Sequence, residues 1–370
     1  MSYPIYEKLT QLPNDIVALE DYQRLAPDFI PEPVYTYIRS GGADEHTLRR
    51  NSDAFNALSL YNRVLVDFDQ ANTHTQLLGE CFRHPILLAP VAHQGLVHTD
   101  AELATAQAAD ALEAGLICST LASKPMEQIA ANTTAPKWFQ LYFQASRQHT
   151  KTLVERAAAS GYTALVVTVD VPINGLRNPI QRSGFQLPDN IQAINTASKS
   201  QSPVELNPEQ SIIFQGLMSE APTWRDIEWL RQNTQLPIIL KGISHPKDAQ
   251  RALSLGIDGF VVSNHGGRSL DTLPATIDML PAIRQIVGDT IPVLLDGGVR
   301  RGTDIFKALA LGADAVLIGR PQIYALAVAG ALGVAHMLKL LRDELEVTMA
   351  LCGCPTLKDI NPDCLFKPKA

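Results

Sequence analysis

Eight short apolar runs recur along the chain between residues 86 and 319. Most are continuous and rich in Val, Ile and Leu, without alternation of apolar and polar positions, which is typical of strands buried on both faces of a parallel sheet. The runs are Ile86–Ala92, Leu116–Leu121, Trp138–Tyr142, Ala164–Asp170, Ile238–Gly242, Gly259–Asn264, Pro292–Gly297 and Ala315–Gly319. We therefore predict eight parallel strands.

Helical patterns separate many of these runs. The segments with apolar residues at helical spacing are Asp100–Ala114, Thr150–Ser160, Pro246–Leu255, Ile277–Val287 and Gly302–Leu311. Strand–helix alternation repeated eight times predicts an α/β fold, a closed (β/α)8 TIM barrel. An open doubly wound sheet is the rival fold, but its G-x-G-x-x-G fingerprint is absent from the sequence.

The longest interval between strands lies between Asp170 and Ile238. Its stretch Gln186–Ser211 is rich in Asn, Ser, Gln and Pro, so we predict a lid insertion after the fourth strand, over about residues 186–223. Residues 1–80 predict an N-terminal helical cap, and Met337–Cys352 predicts an amphipathic last helix. Residues 1–370 are thus assigned to a single barrel domain.

Composition excludes several classes of function. The net charge is −7, the pI is about 5.7 and no run of Lys and Arg occurs, so binding to nucleic acid has no electrostatic support. A signal peptide and an apolar run long enough to span a bilayer are both missing, so we expect a cytoplasmic protein that does not contact a membrane. The five cysteines fit neither a disulfide framework nor a zinc site, and no metal is predicted.

A histidine follows the sixth strand, in the segment Ser263-Asn264-His265-Gly266-Gly267-Arg268. A neutral imidazole can accept a proton near neutral pH, and the two glycines leave room for a ligand beside it. A lone histidine is more often an ordinary loop residue than a base. Arg268 changes this interpretation, because a guanidinium can clamp a carboxylate next to the base.

Lys241 ends the fifth strand directly after four apolar residues. Such a lysine can carry a Schiff base, as in barrel aldolases, or lie beside a cofactor atom that gains negative charge. The residues alone leave both roles open.

Glycine-rich loops follow the last two strands, at Asp296–Gly302 and at Gly319-Arg320. Barrels of this fold bind phosphate at this place through backbone N–H groups and a helix N-terminus, so we predict a phosphate site. The alternative is a pair of tight turns that need glycine for positive φ.

Polar residues also interrupt the third and fourth strands at a spacing of two. They are Gln140 with Tyr142, and Thr168 with Asp170, so each pair faces one way. Buried polar groups need partners, which a ligand or water would supply. Tyr35 and Tyr37 have the same spacing in the cap, where one or both are candidates for core residues.

The segment from Ser263 to Asp271 closely resembles the signature of the FMN-dependent 2-hydroxy-acid oxidases and dehydrogenases, although Ser269 stands where that family usually has Gln. The resemblance extends from Val34-Tyr35-Thr36-Tyr37 to Met349–Gly353 and includes Leu236–Gly242 and Asp296–Lys307. It implies FMN as the cofactor. The residues implied to hold FMN are Pro90, Val91, Ala92, Ser119, Gln140, Thr168, Lys241, Ser263, Asp296, Gly297, Gly298, Arg300, Gly319 and Arg320.

The resemblance also implies catalytic roles. The residues implied to bind the substrate are Tyr37, Tyr142, Arg177, His265 and Arg268. His265 would be the base, Asp170 would orient it, and Tyr142 would hydrogen-bond the substrate hydroxyl. Lys241 would lie near flavin N1 and compensate negative charge there, which argues against the Schiff base.

Three positions depart from the family pattern. Leu121 stands where an aromatic residue is frequent, and a smaller wall would admit a longer or branched side chain. Asn178 stands where Glu is common, so Arg182 is kept as an alternative to Arg177. His93 stands where small or apolar residues are common, and it is either a titratable group near the flavin or a solvent-exposed loop residue.

The family implies oxidation of a small L-2-hydroxy acid, of the lactate or glycolate type, to the 2-oxo acid. We expect an oxidase that passes the electrons to O2 and releases hydrogen peroxide, in a homotetramer. The alternatives are a soluble dehydrogenase that uses a quinone or another carrier and, more distantly, a Lys241 aldolase. The polar Gln186–Ser211 stretch differs from the apolar or basic insertion of membrane-bound members, which favours the soluble oxidase.

Overall fold

Eight parallel strands close into a barrel in the structure, a computed structural model that describes residues 5–196 and 206–366. The barrel strands are β1 (Ile86–Leu88), β2 (Gly115–Ser119), β3 (Lys137–Leu141), β4 (Leu165–Thr168), β5 (Ile238–Lys241), β6 (Gly259–Val262), β7 (Val293–Leu295) and β8 (Ala315–Ile318). Each strand pairs with the next along the chain, and β8 closes the barrel against β1. The predicted (β/α)8 barrel is confirmed.

Helices precede the barrel and surround it. They are α1 (Leu19–Phe29), α2 (Glu32–Arg39), α3 (His46–Ala57), α4 (Glu102–Leu112), α5 (Met126–Ala131), α6 (Arg147–Ala159), α7 (Asn178–Ser183), α8 (Trp224–Asn233), α9 (Pro246–Ser254), α10 (Thr276–Val287), α11 (Gly302–Ala310) and α12 (Arg320–Cys352). The first three lie within the predicted N-terminal cap. Two short antiparallel pairs complete the described elements, Thr75–Leu77 with Glu80–Phe82 and Ser59–Leu60 with Leu365–Phe366.

The observed boundaries differ from the predicted ones for physical reasons. The apolar run that begins at Ile86 continues to Ala92, but β1 ends at Leu88, because the following residues form a loop that lines a cavity. Helices α5, α7 and α8 were not predicted, and they bury too few side chains to give a clear periodic pattern. The last helix begins at Arg320, and non-helical backbone at Ala329 and Gly330 divides it.

Inward-facing side chains of the strands form two layers inside the barrel. The lower layer is apolar and consists of Leu87, Ile117, Trp138, Val166, Ile239, Val261, Leu294 and Leu317, closed at one end by Leu77 and Phe82 of the short hairpin. Two residues farther along six of these strands, the inward positions become polar and remain buried: Ser119, Gln140, Thr168, Lys241, Ser263 and Asp296. The strand period therefore builds a polar layer at the carboxyl ends of the strands, where barrels of this fold place active sites.

The predicted lid lies between β4 and α8, and its residues 197–205 fall outside the described ranges. Before them, the buried Asn195 side chain accepts a hydrogen bond from the Met126 backbone N–H (2.9 Å) and donates to the Lys124 carbonyl (3.1 Å). After them, the chain forms a π-helical turn (Ile212–Gly216) and a 3₁₀ turn (Leu217–Glu220). The insertion after the fourth strand is thus confirmed, and its first part is held against the loop that follows β2.

Helix α12 is long and apolar enough to cross a membrane by length and composition alone. However, 67% of its most apolar window is buried inside the protein, which is typical of a core helix.

Candidate active site

A cavity of about 240 Å³ opens at the carboxyl ends of the strands. It is lined by residues from the barrel loops and from α2. Fifteen of the predicted site residues lie in this lining: Tyr37, Pro90, Val91, Ala92, Tyr142, Arg177, Lys241, His265, Arg268, Asp296, Gly297, Gly298, Arg300, Gly319 and Arg320. The structure therefore brings together residues from both halves of the chain.

Four other predicted residues are buried at the strand ends, outside the cavity lining. Strand register sets Ser119 beside Gln140, and Ser119 Oγ donates to Gln140 Oε1 (3.3 Å). The Gln140 Nε2 group donates to Thr168 Oγ1 (3.1 Å), and Ser263 Oγ lies 2.9 Å from Lys241 Nζ. These side chains form a polar floor, to which Gln140 and Thr168 were assigned from the period of two in the strands and Ser119 and Ser263 from the family resemblance.

Lys241 forms a buried ion pair at the end of β5. Its Nζ lies 3.0 Å from Asp296 Oδ2. Burial lowers the pKa of Lys241, but the carboxylates of Asp296 and Asp170 outweigh burial and hold the pKa above its ordinary value. A Schiff base requires a neutral amine, so this environment argues against the aldolase alternative. Asp296 Oδ1 is buried without a hydrogen-bond partner among the described residues, which leaves an acceptor for a ligand donor.

His265 and Asp170 form a second, partly buried pair. His265 Nδ1 lies 3.1 Å from Asp170 Oδ1, which favours the tautomer with the proton on Nδ1 and leaves Nε2 free as an acceptor. Burial lowers the pKa of His265 by more than Asp170 raises it, so the ring is neutral near pH 7. Burial raises the pKa of Asp170, but His265 and Lys241 outweigh burial and keep its carboxyl ionised, with its pKa below the ordinary value.

The backbone also shapes this pair. His265 itself has φ 56°, and the following Gly266 and Gly267 have φ 62° and 73°. Gly242 has φ 107°, and a Cβ there would collide with the Asp170 side chain. Gly242 was missed in the sequence, although its position directly after Lys241 is a signal that such a close approach is needed.

Two arginines and a tyrosine also line the cavity: Arg268, Arg177 and Tyr37. Arg268 Nη1 donates to the Ile38 and Ser40 carbonyls (3.0 and 2.8 Å), and its guanidinium carbon lies 5.4 Å from the Tyr37 ring centroid. Burial, together with Arg320 and Arg177, lowers the pKa of Arg268 to about 9. Arginine remains protonated in proteins, so this destabilisation indicates a place that an anion would occupy.

The structure also distinguishes the two candidate arginines, Arg177 and Arg182, which lie between β4 and the lid. Arg177 caps the N-terminus of α7, lines the cavity and has a buried Nε without a partner among the described residues. Arg182 is exposed and lies outside the lining. Arg177 therefore lies where a carboxylate-binding arginine is expected, and the position of Arg182 outside the lining favours Arg177 over this alternative.

The end of the cavity near β7 and β8 has the features of a phosphate site. Among the described residues, no carboxylate pairs with the guanidinium group of Arg300 or of Arg320. Both side chains donate hydrogen bonds only to backbone carbonyls. Burial lowers the pKa of Arg320 to about 10 and also lowers that of Arg300. Gly298 has φ 92°, and a Cβ there would collide with the backbone of Asn51. Buried cations without counterions beside the N-terminus of α12 fit a phosphate group.

Two further contacts at the site were not predicted. The amides of Asn51 and Asn264 exchange hydrogen bonds of 2.9 and 2.8 Å and connect the cap to the loop that carries His265. The Phe185 ring stacks on Tyr37, with centroids 4.5 Å apart and planes at 20°. Both pairs join distant parts of the chain, and no local signal in the sequence indicates them.

The residues that depart from the family pattern also have definite places. Leu121 and His93 both line the cavity. Tyr35 packs against Tyr324 and is absent from the lining.

The cysteines are free, and no cluster of potential metal ligands occurs within residues 5–196 and 206–366.

The fold and this site define a barrel enzyme whose cavity is lined by a histidine paired with an aspartate and by arginines that suit a phosphate group. A family model described as FMN-dependent dehydrogenase matches residues 26–367. The chain is 48% identical to an L-lactate oxidase of Alicycliphilus denitrificans, over 96% of this chain and 98% of that protein. It is 43% identical to a peroxisomal (S)-2-hydroxyacid oxidase of Arabidopsis thaliana, over 94% and 96%.

A solved structure of mandelate oxidase with (S)-2-phenylpropionate has the same fold. Its TM-score is 0.85 at 38% identity, and the match covers 95% of this chain and 98% of that one. The chain belongs to the family of FMN-dependent dehydrogenases, and its cofactor is FMN. The buried arginines without counterions, the glycine cradle and the unpartnered Asp296 oxygen fit this group.

Proposed function

We propose that this protein oxidises a small L-2-hydroxy acid to the 2-oxo acid and passes the electrons to O2, which yields hydrogen peroxide. The observation that carries the proposal is the neutral His265, paired with Asp170, in the same cavity as buried arginines that lack counterions. The names of the oxidase relatives support it, and L-lactate is the first substrate to test.

The substrate carboxylate would bind to Arg177, Arg268 and Tyr37. Both guanidinium groups are positive, and the substrate carboxylate would supply the counterion that the described part of the chain does not provide. Binding there orients the 2-hydroxyl and the C2–H toward the rest of the cavity. Tyr142, whose pKa burial raises, stays protonated and would donate a hydrogen bond to the substrate hydroxyl.

His265 would then accept the hydroxyl proton at Nε2. Its Nδ1–H stays bonded to Asp170, whose carboxylate stabilises the imidazolium that forms. When bound, FMN would supply the acceptor for the two electrons and the remaining hydrogen that leave the substrate. Asp296, Gly297, Gly298 and Arg300, with Arg320 beyond them, would hold its phosphate-bearing chain, and the Lys241 ammonium would stabilise negative charge on its ring.

An oxidase and a dehydrogenase of this family differ in the second half of the cycle. We expect anaerobic L-lactate to bleach the flavin absorbance of the purified protein, and rapid mixing with oxygen to restore it within the turnover time. Reoxidation far slower than turnover with a quinone would overturn the oxidase proposal in favour of the dehydrogenase. A colourless protein that cannot be loaded with FMN would overturn both.

The stacked pair of Phe185 and Tyr37 leads to a separate prediction. Phe185 follows α7, whose N-cap residue is Arg177, so the stack fixes Tyr37 and this helix relative to each other. We expect Phe185→Ala to raise KM for L-lactate about fivefold with a smaller change in kcat, since such aromatic pairs contribute about 1 kcal/mol. Steady-state kinetics would check this, with Phe185→Tyr restoring KM. Leu187→Ala, also in the lid, is the control, and an equal effect there would contradict a specific role for the stack.

We further propose that residues 1–370 act as a single domain, in a cytoplasmic homotetramer. The exposed apolar side chains of Ile212, Phe214 and Leu217 in the lid support contact between copies, because such patches mark interfaces. Light scattering on Phe214→Asp would test the assembly, and an unchanged mass of four chains would exclude this patch from the interface.

A further inference from the structure

His93 stands at the wall of the cavity, directly after the loop residues Pro90 to Ala92. Its backbone N–H donates to the Leu121 carbonyl (3.0 Å), so the two residues that depart from the family pattern are neighbours in the same wall. Leu96 and Val97 continue this wall with apolar side chains. Gln94 also lines it, but its side-chain oxygen already accepts a hydrogen bond from Thr105 (2.6 Å).

The tautomer of His93 follows from its surroundings. Nδ1 is fully buried and has no hydrogen-bond partner within the described ranges. A buried N–H without an acceptor is rarer in proteins than an acceptor without a donor, so the proton belongs on Nε2. Because burial lowers the pKa of His93 and no charged group offsets it, the ring is neutral. Nε2–H is then a hydrogen-bond donor for which residues 5–196 and 206–366 supply no acceptor.

The position of this donor matters because its neighbours Leu121, Leu96 and Val97 in the wall are apolar, and the Gln94 side-chain oxygen already accepts a hydrogen bond from Thr105. A substrate whose carboxylate is held by the arginines directs its side chain toward some part of the cavity wall, and Leu121 leaves more space there than an aromatic residue would. A hydrocarbon side chain would fill the space beside Leu121 but leave the imidazole N–H desolvated and unpaired. An oxygen atom on the substrate's side chain would instead accept a hydrogen bond from this N–H.

We propose that His93 donates a hydrogen bond to an oxygen atom on the substrate's side chain, and that the enzyme thereby prefers 2-hydroxy acids with a hydroxyl or carbonyl on C3 or C4. This inference rests on the proposed function and specifies its substrate class. L-Glycerate and L-2-hydroxybutyrate are the natural comparison, because CH2OH and CH2CH3 have nearly the same shape and differ only in the acceptor.

The test compares wild type, His93→Leu and His93→Gln, each loaded with FMN. Hydroxypyruvate and 2-oxobutyrate, the matching 2-oxo acids, are titrated by calorimetry, so that binding is measured without turnover. We expect wild type to bind hydroxypyruvate about tenfold more tightly than 2-oxobutyrate, the usual contribution of one neutral hydrogen bond. His93→Leu should remove this preference, and His93→Gln, which keeps an N–H donor, should retain much of it. The ratio of kcat/KM for L-glycerate to that for L-2-hydroxybutyrate should follow the same order.

The outcomes separate this inference from the function on which it rests. If L-lactate fails to reduce the flavin in wild type, the proposed function is wrong. If L-lactate is oxidised but His93→Leu and wild type show the same preference in both measurements, the role of His93 is wrong. Should His93→Leu fail to take up FMN, His93→Met, which also lacks a hydrogen-bond donor, replaces it in both measurements.

Discussion

His265→Ala should bind FMN normally but lose flavin reduction by L-lactate, with a rate about 10³-fold below that of wild type. Arg300 and Arg320, which we propose hold the phosphate, and the Lys241–Asp296 pair remain in this variant, so cofactor binding has no reason to fail. The lost step is proton removal from the substrate hydroxyl, and positioned general bases contribute about 10²- to 10⁴-fold. Anaerobic stopped-flow absorbance measures the rate directly. His149→Ala, an exposed histidine of α6, is the matched control.

The acid limb of the pH profile gives a second measure of the same base. Because burial lowers the pKa of His265, the neutral form persists as pH falls past 6.5, and kcat/KM should decline only below that value. Asp170 raises this pKa, so Asp170→Asn should move the limb to still lower pH while reducing the maximal rate. A limb that moves upward, or His265→Ala activity near that of wild type, would refute the base assignment.

The fold and the polar layer could be predicted because they depend on local periodicity. Continuous apolar runs indicated the barrel, and the inward direction of Gln140 and Thr168 follows from the period of two in β3 and β4. Glycine-rich loops after the last two strands indicated the phosphate site for the same reason, since their positions along the chain determine their place in a barrel.

Other features of the site depend on contacts between distant segments. Arg177 and Arg182 lie five residues apart, and only the course of α7 decides that the first lines the cavity and the second is exposed. The stack of Phe185 on Tyr37 joins the lid to the cap in the same way. The requirement for glycine at residue 242 arises from Asp170, which is distant in sequence. Side-chain packing, which no local pattern encodes, fixes these features.

Lys241→Met should have a large effect on both stability and catalysis, and the two effects can be separated. The variant leaves Asp296 as a buried carboxylate without its partner, and breaking a buried ion pair costs about 3–5 kcal/mol. Flavin reduction should also fall by about 10²- to 10³-fold, because the ammonium no longer stabilises negative charge on the cofactor ring. Denaturant unfolding of the FMN-free protein measures the first effect, and anaerobic reduction by L-lactate measures the second.

The double variant Lys241→Met/Asp296→Asn distinguishes a catalytic lysine from a structural one. It removes both charges, so no lone carboxylate remains buried, and most of the lost unfolding free energy should return. The reduction rate should stay low, because the positive charge beside the ring is still absent. Recovery of the rate together with the stability would mean that Lys241 acts only by neutralising Asp296. A low reduction rate together with restored stability would instead mean that the Lys241 charge acts on flavin reduction itself.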